Sequence, residues 1–231
     1  MLLEVIATTV SDAIIAERYG ADRIELITGI SEGGLTPSLG LIEEVREKVS
    51  IPVRVMIRPH ARSFVYDAAD METMQRDIRH IRSVGGLSLV LGILRHDRTV
   101  AEDLLGQLLE TADGMEVTFH RAFDEVQDQF EALKLLARYP QITDILTSGA
   151  RPTAPEGRER IAALEHRTSE QSISILAGSG LSIKGLSEFI SDTGVRRVHF
   201  GSAVREEGNP LKPIDPVRLK AVRTLLNSFI F

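Results

Sequence analysis

Residues 1–26, MLLEVIATTVSDAIIAERYGADRIEL, hold the repeat whose reading decides the fold. Leu2–Ile6 is a short apolar run that ends in a polar turn. A helical stretch follows, with Ser11 as its expected N-cap, a helix over Asp12–Tyr19 and Gly20 as the stop. Arg23–Leu26 is the next apolar run. Strand, helix, strand in that order is a βα unit. The beat continues through Val53–Ile57, Leu87–Leu91, Glu116–Phe119, Asp144–Leu146, Ser174–Leu176 and Arg197–Phe200, each followed by helical sequence. Eight such units in 231 residues predict a (β/α)8 TIM barrel, an α/β fold, as a single domain over residues 1–231. The alternative is an open doubly wound sheet, but no GxGxxG follows the first run.

Helix boundaries support the barrel. Thr36-Pro37 predicts an N-cap and first helical residue, with the helix running to Val49. Asp70 predicts the cap of a helix to Val84, and Thr99 with Glu102 a capping box. Asp128, Pro155-Glu156, Ser182 and Asp215-Pro216 mark the remaining starts.

Composition narrows the function classes. Apolar residues make up 43% and charged residues 26%, as in a soluble globular domain. No run reaches membrane-spanning length, and the N-terminus lacks a basic leader, so a cytoplasmic protein with no membrane partner is expected. The net charge of −6 argues against nucleic acid as a partner. The chain has no cysteine, which removes disulfides and thiolate metal ligands.

In a barrel the chemistry sits where strands end. Small residues cluster after the last three strands: Ser148-Gly149, Gly178-Ser179-Gly180 and Gly201-Ser202. Backbone N–H groups in such turns hold anions, although glycine also serves tight turns on its own. Charged residues lie inside the apolar runs as well. Glu4, Glu25, Arg54, Arg58 and His199 occupy strands, and His120, Arg121 and Asp124 follow the fifth. Buried charges must be paired. They form either a self-satisfied Glu–Arg network or a polar site at the mouth, with Arg58 as an anion clamp and Glu25 or His120 moving a proton. We expect Glu4, Glu25, Arg58 and His120 to face one cavity.

His120 and His199 with Glu4 or Glu25 offer nitrogen and oxygen donors to a divalent ion, but no metal-ligand spacing supports this. Met71 and Met74 read as helix packing. The loops Pro59–Ala69 and Ser202–Ile214 are long enough to be lids. The apolar end Phe229-Ile230-Phe231 either packs under the barrel or meets a second copy, and a homodimer is expected.

Several segments resemble the CutC family of copper homeostasis proteins. They are Gly20–Leu26, Glu32–Gly40, Ile57–Pro59, Thr118–Asp124, Leu146–Gly149, Ala177–Gly180, Val198-His199 and Ser202-Ala203. The resemblance runs from Leu3 to about Pro210. It implies a (β/α)8 barrel, a cytoplasmic protein and a link to copper. Family members often carry cysteines near the ends of strands one and two, where this chain has Ala7-Thr8 and Ile27-Thr28. Another departure is His60–Phe64, where the family usually has Arg-Gly-Gly-Asp-Phe. The resemblance therefore implies copper while the residues lack its soft ligands, which argues against direct binding. Two other functions remain open: a lyase or isomerase on a small phosphorylated or carboxylated substrate, and a non-catalytic binding or scaffold protein.

Overall fold

The computed structural model describes residues 1–168 and 172–229. Eight parallel strands close into one barrel in sequence order: β1 (Leu2–Ala7), β2 (Arg23–Leu26), β3 (Val53–Met56), β4 (Ser88–Leu91), β5 (Val117–Phe119), β6 (Ile142–Thr147), β7 (Ser174–Ala177) and β8 (Arg197–Phe200). The helices α1 (Val10–Arg18), α2 (Leu39–Lys48), α3 (Ala68–Val84), α4 (Glu102–Ala112), α5 (Gln129–Leu136), α6 (Arg158–Thr168), α7 (Leu186–Thr193) and α8 (Pro216–Leu226) follow their strands. No helix among the described residues is long and apolar enough to cross a membrane.

Alternation along each strand sorts the side chains. Leu3 and Val5, Ile24 and Leu26, and Val198 and Phe200 are buried in the core that includes the helices. The other parity faces the barrel axis. The register sets Glu4 beside Arg23 and His199, Ile6 beside Glu25, and Glu25 beside Arg54. Charged strand residues therefore fill the barrel interior. Met71 and Met74 are both buried in the apolar core on α3.

Several helix starts differ from expectation, and at Thr36, Asp70 and Thr99 the expected cap is engaged elsewhere. Thr9, not Ser11, caps α1: its hydroxyl accepts the Asp12 N–H at 3.0 Å. Ser38, not Thr36, caps α2. Thr36 instead pairs with the end of β3, where Arg58 N–H donates to its hydroxyl at 2.9 Å. Asp67 caps α3, with Asp70 as the reciprocal partner in the capping box. Thr99 bonds Asp97 at 2.7 Å, and α4 starts without a side-chain cap. Helix α6 begins at Arg158, three residues beyond Pro155, and Ser182 precedes a short 3-10 turn, Ile183–Gly185, before α7. Asp128 and Asp215 cap as expected.

The loop after β8 is pinned rather than free. Arg205 is 1% exposed. Its guanidinium donates to Asp12 at 2.9 Å, the Ile6 carbonyl at 3.0 Å and the Lys212 carbonyl at 2.7 Å. One side chain thus ties the last loop to the first βα unit. Phe229 packs on the core; Ile230 and Phe231 lie outside the described residues.

Candidate functional site

The barrel interior is ionic where such interiors usually hold branched apolar residues. Asp144 on β6 is fully buried and accepts from Arg54 at 2.9 Å, Arg23 at 3.1 Å and Arg197 at 2.8 Å. Burial alone would raise its pKa, but the three guanidinium groups hold it below the ordinary range. Arg54 also bonds Thr118, Glu116 and Thr143. Beside this cluster Glu4 accepts from Arg23 and from His199 Nδ1, the latter at 2.8 Å. Burial again opposes, and Arg23 with His199 brings Glu4 to about 2. Glu4 is thus part of this plug and does not line the mouth.

Above the plug lies a cavity of about 440 Å³. Ile6, Ile27 and Met56 give it an apolar floor, and Glu25, Arg58, His120 and His199 supply its polar walls. His199 Nε2 stands 3.9 Å from Glu25 Oε2. Glu25 Oε1 is buried without a partner. Burial, reinforced by Glu4, pushes Glu25 up to about 7 against the pull of His199 and Arg23. Burial lowers His199, but the carboxylates of Glu25 and Glu4 outweigh it and raise the group. Glu25 is thereby raised toward neutral pH beside an imidazole whose protonated form is favoured, an arrangement suited to acid–base work.

His120 differs in kind. Its Nδ1 accepts the Ala122 N–H at 3.2 Å, and burial, followed by Arg58, lowers it to about 3. The ring is neutral at pH 7 with its proton on Nε2, which is buried and has no partner. It is placed to donate a hydrogen bond, not to act as the base. Arg58 Nη1 donates to the carbonyls of Glu32 at 2.7 Å and Gly34 at 3.1 Å. Phe64, from the loop after β3, lies 4.8 Å from both the Arg58 guanidinium and the His120 ring.

The turns after β7 and β8 complete the rim. Gly180, Leu181, Ser202 and Ala203 line the cavity, and their backbone N–H groups have no acceptor among the described residues. Ser179 sits at φ +78°, a strained conformation for a non-glycine residue. Three other candidates support the structure instead of lining the cavity. Ser148 is fully buried and bonds Asp124 at 2.9 Å; Gly149 lets Gly157 approach; Gly178 makes room for Leu146 and His199. Asp124 lines the rim yet spends its oxygens on Arg121, Thr147, Ser148 and Ala150. Arg121 lines the rim too, tied to Asp124 at 2.8 Å and to Ser148 at 3.0 Å.

The sequence model of the CutC family matches residues 1–204. The chain belongs to the CutC family. A CutC family protein of Yersinia pseudotuberculosis serotype I is 40% identical over 197 residues, covering 85% of this chain and 77% of that protein. A CutC relative from Porphyromonas gingivalis is 40% identical over 200 residues, or 86% and 79%. A solved CutC structure from Streptococcus agalactiae, described provisionally as a copper homeostasis protein, shares 31% identity at a TM-score of 0.79. It covers 86% of this chain and 97% of that one. Phosphoribosyl anthranilate isomerase from Thermococcus kodakaraensis, at 16% identity and a TM-score of 0.63 over 99% of both chains, shares the barrel fold.

The CutC segments read from the sequence carry the cavity. Gly20–Leu26 supplies Glu25, Thr118–Asp124 supplies His120, and Val198-His199 supplies the imidazole beside Glu25. Of the donors considered for a metal, Glu4, Glu25 and His199 lie within 4.8 Å of one another; His120 is not part of that group.

Gly92 was not singled out from the sequence, although it directly follows the fourth apolar run. A Cβ there would lie 2.5 Å from His120 Nδ1 and 3.0 Å from Ala122 Cβ. Gly92→Ala is expected to displace the imidazole and to cost about 1–3 kcal/mol by overpacking. Thermal melting and the His120 ring nitrogen shifts report both effects; unchanged shifts would refute the contact.

Proposed function

We propose that this CutC-family chain is an acid–base enzyme, a lyase or isomerase, acting on a small phosphorylated or carboxylated molecule. The observation that carries the reading is Glu25: buried, poised near pH 7, next to His199, with one oxygen unpartnered at the cavity. A base works best when its pKa lies near the working pH. Glu25 takes and returns the proton while His199 stabilises the ionised carboxylate. The free N–H groups of the β7 and β8 turns hold the anion, as in many barrels, and Arg58 adds positive charge.

The link to copper comes through the relative from Streptococcus agalactiae. Cu(I) prefers thiolate and thioether ligands. The chain has no cysteine, Met71 and Met74 are packed in the core, Met56 is the single thioether among the described residues lining the cavity, and Glu4 is occupied by Arg23 and His199. The donor set does not fit Cu(I). A contribution to copper homeostasis would therefore run through the small-molecule reaction and not through direct binding.

One titration series tests this reading. Inorganic phosphate is expected to bind with Kd on the order of 1–10 mM, shifting the backbone amides of Gly180, Leu181, Ser202 and Ala203. Cu(I) offered from a competing chelator is expected to stay on the chelator. Silent amides in that set, or one-to-one transfer of Cu(I), would sink the proposal.

A further inference from the structure

We infer that the reaction at this mouth is an enolisation: reversible removal of a proton from the carbon beside a carbonyl in a small phosphorylated α-hydroxy carbonyl compound. The inference rests on the acid–base reading above and adds which bond is broken. Its basis is the pairing of Glu25 with His120 across one cavity.

Enolisation needs a base at the carbon and a hydrogen-bond donor at the oxygen where negative charge develops. Glu25 fits the first role through its unpartnered Oε1. His120 fits the second. The Ala122 N–H occupies Nδ1, so the proton resides on Nε2, and that N–H is buried with nothing in the protein to receive it. An unmet donor in a buried site is costly, and a substrate oxygen would satisfy it. Gly92, with no side chain, lets the ring sit against the backbone, and Phe64 covers its other neighbourhood. The imidazole is thus held in one orientation. No lysine lines the cavity among the described residues, so imine chemistry through a side-chain amine is not available there.

The step balances without a co-reactant. The Glu25 carboxylate takes the proton from carbon, and the C–H electron pair becomes the new C=C bond. The carbonyl π pair moves onto oxygen, which His120 Nε2–H stabilises as the enediolate. Glu25 then returns the proton to carbon, or exchanges it with solvent first. The phosphate stays on the N–H groups of Gly180, Leu181, Ser202 and Ala203 throughout.

Two small phosphates test the inference. The planar carboxylate of 2-phosphoglycolate mimics the enediolate; glycerol 3-phosphate carries the same anion without that feature. On the full-length protein, 2-phosphoglycolate is expected to bind at least about tenfold more tightly, as reaction-state mimics do. His120→Ala is expected to abolish the preference while glycerol 3-phosphate still binds. His120→Gln, which restores an N–H near the position of Nε2, is expected to recover part of it. Equal affinities for the two phosphates in the unaltered protein would overturn enolisation and leave the anion site standing. Failure of both to bind would overturn both readings. If His120→Ala binds neither compound, the glutamine variant decides: binding without preference refutes the role of His120.

Discussion

Asp144→Ala is expected to lose about 3–5 kcal/mol of folding stability, the range for a buried ion pair stripped of one partner. Asp144 is the anion that Arg23, Arg54 and Arg197 share. Arg23 keeps Glu4 and Arg54 keeps Glu116, but three guanidinium groups would then crowd a space left without its central negative charge. For a domain of this size the loss corresponds to a melting point lower by roughly 6–20 °C. Differential scanning calorimetry reads it; a drop below about 1 kcal/mol would show that the plug tolerates the missing charge. The plug also predicts the acid limb of stability. Asp144 and Glu4 both have folded pKa values below their ordinary ones, Glu4 at about 2. Their contribution is complete above the unfolded values, near 4, and drains away as pH falls toward 2.

Glu25→Gln is expected to act in the opposite sense on stability. The Glu25 carboxyl is raised to about 7, so the fold favours its protonated form. That contribution is present below the ordinary value of 4.5 and is lost as pH rises through 7. The glutamine variant keeps the shape of the neutral acid and escapes the cost of ionisation. It should be more stable than the parent at pH 8, by about 3 kcal/mol, with the gap closing toward pH 5. A variant no more stable at pH 8 than at pH 5, relative to the parent, would contradict the assignment. His199 reports the same change independently. Glu25 is the largest of the influences that raise it, so its titration should move to lower pH in the variant. Under the proposed function the same substitution removes the proton acceptor, and turnover should fall by about 10²–10⁴-fold. Greater stability with lost turnover is the mark of a group kept for chemistry at the expense of the fold.

The strands were legible because period-two alternation survives even where charges replace apolar residues. Arg23–Leu26 and Arg197–Phe200 were bounded correctly from their sequence alone. Charges at one parity also showed that the interior is polar. The alternation could not say which charges pair below and which face the mouth. That depends on strand stagger: Glu4 lies opposite Arg23 and His199 and so falls into the plug, while Glu25 lies beside Ile6 and reaches the cavity. The two readings of these residues, an ionic network and a polar site, prove to be stacked levels of one barrel. The start of α2 was misread because a long-range bond took Thr36, whose hydroxyl accepts the Arg58 N–H. The role of His120 was hidden for a related reason. Its tautomer is set by a backbone N–H two residues on, and its orientation by the bare Cα of Gly92 just after β4.

The clasp made by Arg205 has a bearing on how the chain is born. A ribosome releases Glu4 and Asp12 early and two of their partners late: 195 residues separate Glu4 from His199, and 193 separate Asp12 from Arg205. Through most of synthesis Asp12 lacks the counter-charge of Arg205, and Glu4 has Arg23 but not His199. Desolvating them early is unfavourable, so the nascent N-terminal half is held short of premature closure. The seam between β1 and β8 then zips only when the final unit emerges, bringing hydrogen bonds and counter-charges together. A nascent chain stalled before Arg197 lacks both.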